Sequence, residues 1–401
     1  MSGSGLSCVR PGRRRFIGAW LVLVLLVTLG ACGGGASLDG PDTVAEPTGP
    51  GQLLAVTRLN TISAAQVTQA LAAAGVGALS LQPRYDIVNY RIEYLTLDVD
   101  GKEIRASGLL SVPVKLAAAR SPVLSYQHAT IFSDADAPTM ALGADQPPMV
   151  IASMGFVVVA ADYVGYGVTK GVPHPYLLSA PSASAVIDLL TAARTWRLKN
   201  RVFGNAQLFL AGYSEGGYVT MAAQRALQAG STPHRDELRL AVAGAGPYNL
   251  TETLDVLLRR VKDENFLIGA LINPGFLRYL GNDIRDEVRR LLIRQLIPDD
   301  ADVVFDTKFI DAFLADDRDR IERQSNVHDW LPDQPIALFH GREDQTVPYS
   351  ASTTTLAAMR ARGASNVTLT DCTNQPSGHK DCVPQFWQLL LDRIGPLARD
   401  L

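Results

Sequence analysis

Six residues, Gly212-Tyr213-Ser214-Glu215-Gly216-Gly217, constrain this chain more than any other stretch. They follow directly on Gln207 to Ala211, which reads as a buried strand, and a helical stretch from Val219 to Leu227 begins at once. A strand that turns into a helix this abruptly needs small residues on either side of the serine, because the two backbones crowd there. Such a turn lifts a hydroxyl above the sheet and points the positive end of the helix at whatever the serine attacks. The G-x-S-x-G string alone arises often by chance, and its plain reading is a glycine-rich structural turn. Between a strand and a helix it marks Ser214 as a nucleophile.

The surroundings supply that context. Arg91 to Val99 and Ile104 to Val112 read as strands joined at Asp100-Gly101, a strong hairpin signal. Buried-strand runs follow at Pro122 to Tyr126, Phe156 to Ala161, Leu238 to Ala243, Ile336 to Phe339 and Val367 to Thr370. Amphipathic helices lie between several of them, one with Val186, Ile187, Leu190 and Ala193 on a single face and Pro181 near its start. A short alanine-rich helix, Ser63 to Ala74, precedes them. An antiparallel start followed by alternating strands and helices implies an α/β fold: a mostly parallel sheet with helices on both faces. Residues 251–331 break the rhythm. Leu254, Leu257, Leu258 and Val261 form one helical stripe, Val288, Leu291, Leu292 and Leu296 a second, and Phe309, Ile310, Phe313 and Leu314 a third, separated by Pro274 and Pro298. This is a helical insertion between two strands, whose plainer reading is a surface excursion that only adds stability.

A serine needs a base, and the base an acid to orient it. In hydrolases built on this strand–turn–helix, the acid and then the histidine follow the serine in chain order. Of the six histidines, His234, His328, His340 and His379 lie downstream. His379 sits after the last strand and before the final amphipathic helix, Phe386 to Ile394, and is taken as the base; His340 closes its own strand and shapes the turn. The acid should hang from the loop after Ile336 to Phe339, which makes it Asp344. Glu343 is one residue early and expected to face away, and Asp333 and Asp371 read as solvated surface. Two backbone N–H groups must meet the developing oxyanion. One is expected from Glu215, the other from Ala129 or Thr130 in the loop after Tyr126. His128 lies on the wrong side of the serine for a base and takes a structural role. No metal or cofactor is required.

The N-terminus reads as a targeting segment. Arg10, Arg13, Arg14 and Arg15 precede an apolar run, Phe16 to Leu29, too short to span a bilayer. It ends in Leu29-Gly30-Ala31-Cys32, which resembles a bacterial lipobox with Cys32 as the lipidated first residue of the mature chain. An ordinary signal peptide or an uncleaved anchor is the plainer reading, and Arg13-Arg14-Arg15-Phe16-Ile17 also fits a loose twin-arginine pattern. Residues 33–51 are rich in Gly, Pro, Ser and Asp and read as a flexible tether. The expected divisions are a signal peptide at 1–31, the tether at 32–51, the core at 52–250 and 332–401, and the cap at 251–331. In an exported chain, Cys372 and Cys382 on either side of His379 are expected to form a disulfide worth about 3 kcal/mol. The formal charge of −3 gives no reason to expect nucleic acid as a partner, and it becomes −7 once the leader's four arginines are removed.

Taken together, Ser125-Tyr126-Gln127-His128, Ala161-Asp162-Tyr163 with Gly165-Tyr166-Gly167, His174-Pro175-Tyr176-Leu177 and the Ser214 turn resemble the secretory lipase family of α/β-hydrolases, over roughly residues 80–395. The resemblance implies a carboxylic-ester hydrolase, a helical cap after the sixth strand, and triad roles for Ser214, Asp344 and His379. It leads to the expectation of an exported lipase or esterase, anchored to a membrane through Cys32, acting on a small-molecule or lipid ester, with an apolar acyl pocket from residues such as Phe276, Leu277 and Phe309. In one respect the chain departs from related hydrolases: their oxyanion loop often carries His-Gly where this chain has His128-Ala129, and a β-carbon there restricts the backbone. Three other readings share these features: a peptidase of the prolyl-oligopeptidase kind, an acyltransferase, and a non-catalytic surface-binding protein on a hydrolase scaffold.

Overall fold

The computed structural model describes residues 47–76, 80, 82–264, 275, 283, 286–290 and 297–401. The leader, Cys32, most of the tether, Pro274, the pocket candidates Phe276 and Leu277, and Leu291, Leu292 and Leu296 lie outside the described residues.

The chain begins its sheet with β1 (Leu53–Ile62), turns through helix α1 (Ala64–Ala73), and returns as the hairpin β2 (Ile87–Leu97) and β3 (Glu103–Pro113). The hairpin turns where expected: Gly101 takes φ +74°, and the Asp98 carboxylate accepts from the N–H groups of Asp100 and Lys102. Then come β4 (Arg120–Gln127), α2 (Pro147–Ser153), β5 (Val157–Ala161), α3 (Ser179–Lys199), β6 (Phe203–Tyr213), α4 (Glu215–Ala229), α5 (Pro233–Glu237) and β7 (Leu238–Gly244). After the insertion follow β8 (Ile336–His340), a helix at Ser350–Ala361, β9 (Val367–Asp371) and a final helix at Val383–Ile394.

All nine strands join one sheet in the order β1-β2-β3-β5-β4-β6-β7-β8-β9. Pairings from β1 to β5 are antiparallel, and those from β5 through β9 are parallel. The central strands read as continuous apolar runs because both faces are covered. Along β5, Val157, Val159 and Ala161 pack with α3 and α4, while Val158 and Ala160 face the side of α1, α2 and the final helix. Leu208 and Leu210 alternate with Phe209 and Ala211 in the same way on β6. The expected α/β-hydrolase architecture is thus the one observed.

Strand β1 carries no clear sequence signal, and the structure shows why. It is an edge strand paired only with β2, its register slips twice, and its residues are mostly half-exposed or exposed. Without one fully buried face there is no alternation to read. It also moves the insertion from after the sixth strand to after the seventh. Within 251–331 the described residues include helices at Leu250–Glu264, Lys308–Leu314 and Arg318–Gln324 and no strand. Among the described residues, an isolated β-bridge between His174 and Phe305 and a backbone hydrogen bond from Asp302 to Phe132 O tie this segment to the body. Among the described residues, no helix is long and apolar enough to cross a membrane.

Candidate active site

Serine 214 stands at the C-terminal end of β6, the edge of a parallel sheet where ligands of open α/β folds bind. Its backbone is held at φ 60°, ψ −123°, a conformation that costs a non-glycine residue about 1–3 kcal/mol. The surrounding packing enforces it. The Ser214 N–H donates to Gly244 O at 2.8 Å on the neighbouring strand, and the Ser214 carbonyl accepts from Tyr218 at 3.1 Å. The flanking glycines are needed for close approach. A β-carbon on Gly212 would lie 2.3 Å from Gly216 O, one on Gly216 2.1 Å from Gln127 O, and one on Gly217 2.5 Å from Gly244 O.

Three side chains from three loops meet here. His379 Nε2 lies 2.9 Å from Ser214 Oγ, and His379 Nδ1 lies 2.6 Å from Asp344 Oδ2. With Nδ1–H donating to the carboxylate, Nε2 is left to accept from the serine hydroxyl. Asp344 Oδ1 accepts from the N–H groups of Thr346 at 2.9 Å and Val347 at 2.8 Å. Burial pushes the Asp344 pKa up, but hydrogen bonds from His340 and His379 outweigh it and hold the carboxyl down to about 2. The acid is therefore ionised across the neutral range. His340, read from sequence as a turn residue, does more: its Nε2 lies 3.3 Å from Asp344 Oδ2 while also meeting Val347 O at 2.9 Å, and its Nδ1 contacts Ser352 Oγ at 2.7 Å. The signal available in sequence was its spacing of four residues from Asp344 across a tight loop.

The histidine loop is pinned on several sides. Cys372 and Cys382 form the expected disulfide, with Cα atoms 5.9 Å apart. Tyr213, next to Ser214, donates its hydroxyl to His379 O at 2.7 Å. Glu343 turns its carboxylate toward the same loop, accepting from Ser377 N at 2.7 Å, rather than toward His379. Asp371 accepts from Arg342 and Tyr349, and Asp333 pairs with Arg235, so both expected surface acids have partners.

The N–H of Glu215 opens helix α4, one residue beyond the serine. The Gln127 and His128 carbonyls abut Gly216, so the loop carrying Ala129 and Thr130 starts against the elbow. Neither of those two N–H groups donates to an acceptor among the described residues. Ala129 is not among the residues at positive φ, so its β-carbon meets no backbone strain of that kind. His128 takes no part in the relay: it stacks on Tyr163 at 4.1 Å, contacts Ala129 O and Asp162 O, and burial pushes its pKa down. Phe309 is 8% exposed and packed into the main core rather than lining an opening.

A second histidine–carboxylate pair, not anticipated from sequence, stands next to Ser214 in the chain, on Glu215. His174 Nε2 lies 2.7 Å from Glu215 Oε1, and His174 Nδ1 lies 2.8 Å from Val164 O. Both side chains are 1% exposed. A carbonyl only accepts, so Nδ1 carries a proton. The backbone of His174 pairs with the insertion: its N–H donates to Val304 O at 2.7 Å, and its carbonyl accepts from Asp306 at 2.8 Å. The segments around Gly165 and His174 fit one another here, since a β-carbon on Gly165 would lie 2.7 Å from His174 Cβ.

The nine-stranded sheet and the strand–turn–helix at Ser214 are those of the α/β-hydrolase fold. Residues 133–273 match the sequence profile of the family described as secretory lipase, which bears out the resemblance read from the sequence. No curated protein sequence matches. Among solved structures, a putative hydrolase from Legionella pneumophila is 22% identical, with a TM-score of 0.66 over 86% of this chain and 97% of that one. A ligand-bound form of the rice cell wall degrading esterase LipA from Xanthomonas oryzae is 24% identical, with a TM-score of 0.66 over 88% and 100%. Candida antarctica lipase A in its closed state is 17% identical, with a TM-score of 0.53 over 86% and 83%.

Proposed function

We propose that this protein is an exported serine hydrolase that cleaves carboxylic esters through an acyl-enzyme on Ser214. The relay from Ser214 through His379 to Asp344, at 2.9 and 2.6 Å, carries the reading. The secretory lipase match and the lipase and esterase folds among its structural relatives support an ester as the substrate class. His379 Nε2 takes the proton of Ser214 as Oγ attacks the ester carbonyl carbon. The N–H of Glu215 and one from Ala129 or Thr130 stabilise the tetrahedral oxyanion, each worth about 10²–10³ in rate. The intermediate collapses, His379 returns the proton to the departing alcohol, and the acyl group stays on Ser214. Water, deprotonated by the same nitrogen, then attacks the acyl carbon and releases the acid. Asp344 keeps the imidazole in the tautomer this requires and stabilises its charged form.

Hydrolysis of p-nitrophenyl esters tests the reading. Ser214→Ala should remove turnover while circular dichroism stays unchanged, and undiminished turnover in that variant would refute it. Anchoring through Cys32 belongs to the same proposal and rests on the leader's basic and apolar segments. Metabolic labelling with a fatty acid should mark the wild type and not Cys32→Ala, and no label in the wild type would refute the anchor.

A further inference from the structure

At the opposite end of β6 from Ser214, about 30 Å away along the strand, lies a cleft of about 270 Å³ that ester hydrolysis does not use. Its wall includes Arg120 at the start of β4, Arg194 and Arg197 near the end of α3, Gly204 at the start of β6, and Glu237. Arg197 is 6% exposed, and its Nε and Nη1 are buried with no acceptor among the described residues. The carboxylate in the cleft is already engaged: Glu237 Oε1 accepts from Arg194 Nη1 at 2.5 Å, and its Oε2 faces His234 Nδ1 at 3.8 Å. Arg120 is exposed at the rim.

The cleft is shaped to keep the guanidinium inside. A β-carbon on Gly204 would lie 3.0 Å from Arg197 Nη1, so the absence of a side chain there makes the space the fork occupies. Burial pulls the Arg197 pKa down to about 10, with Glu237 opposing and Arg194 reinforcing, and the group stays charged at neutral pH. A buried charge without a partner is strongly disfavoured, and buried N–H groups are normally satisfied. Three guanidinium groups against one carboxylate leave two positive charges facing one cavity. The planar fork of arginine matches the oxygens of a phosphate group, which also carries close to two negative charges.

We propose that this cleft is a binding site for a phosphate group, held by Arg197 from inside and by Arg120 and Arg194 from the rim. The site is independent of the triad, so its occupancy should alter stability and leave the chemical step alone.

Thermal unfolding of the full chain in sodium phosphate, against sodium chloride at equal ionic strength, tests this. Phosphate should raise the unfolding temperature of the wild type in a saturable way, and sn-glycerol 3-phosphate used in its place separates a phosphate ester from the free ion. A larger shift with glycerol phosphate assigns an organic phosphate, and an equal or smaller one assigns inorganic phosphate; either supports the site. In Arg197→Met the half-saturating concentration should rise at least about tenfold. That variant should be no less stable than the wild type without phosphate, because an apolar side chain of similar volume removes an unpaired buried charge. Should Arg197→Met fail to fold, the exposed Arg120→Gln should still weaken phosphate binding several-fold. No saturable shift in the wild type, or the same shift in the arginine variants, would overturn the proposal and leave a cleft filled by water.

Discussion

Two histidine–carboxylate pairs stand beside Ser214, and they are built from the same parts. His379 meets Asp344 at 2.6 Å and His174 meets Glu215 at 2.7 Å. They differ in what is left over. His379 spends one nitrogen on its acid and turns the other to Ser214 Oγ, with 13% of its side chain exposed. His174 has both nitrogens taken and is sealed among Tyr163, Tyr166, Tyr176 and Phe305. A histidine–carboxylate pair acts as a base only where a nitrogen remains free to accept a proton from a nucleophile. Where none remains, the same pair is a strut. His174 braces Glu215, and through Val304 and Asp306 it ties that residue to the insertion.

Mutation should separate the two roles. His379→Ala should lower kcat/KM by about 10⁴-fold or more with little change in unfolding temperature, measured by ester hydrolysis beside calorimetry. His174→Ala should show the reverse emphasis. Removing one partner of a buried pair should lower stability by about 3–5 kcal/mol, read by urea denaturation, while the folded fraction keeps most of its turnover. If His174→Ala matched His379→Ala in turnover loss without destabilisation, the division into base and strut would fail.

Asp344→Asn should cut kcat by about 10³–10⁴-fold, because the amide can hold the ring but favours the wrong tautomer. The matching change beside Ser214, Glu215→Gln, should cost far less activity, since no proton moves there.

Opening the disulfide loosens only the base. Cys382→Ala should lower stability by about 2–3 kcal/mol and reduce kcat more than KM, because the loop carrying His379 loses one of its anchors. The Tyr213 and Glu343 contacts remain, so activity should fall and not vanish.

The smallest effect concerns pH. Asp344 has a folded pKa near 2, below the unfolded value of about 3.9. Its stabilising contribution is therefore present above about pH 4 and lost as pH falls toward 2. Acid unfolding below about pH 4 should be steeper in the wild type than in Asp344→Asn, and equal slopes would show that the carboxylate is not held down.

Much of this was legible in the residues. The Ser214 turn could be read because sterics permit only small residues where the elbow meets Gln127 and Gly244, and the central strands because burial on both faces writes an unbroken apolar run. The bracketing cysteines announced the disulfide. What stayed hidden is tertiary. Strand β1 has no buried face to pattern it, and His174 lies 41 residues from Glu215 with nothing local to link them. Arg197 reads as an ordinary basic residue in the last turn of a helix, and only the packing of Gly204 against it reveals that it is buried.

The most direct test is the covalent adduct. The protein should be treated with a fluorophosphonate probe, digested and mapped by mass spectrometry. A single adduct on the peptide carrying Ser214, formed in the wild type and lost or greatly slowed in His379→Ala, is the predicted result. Modification at another residue, or none in a protein that still hydrolyses esters, would contradict Ser214 as the nucleophile.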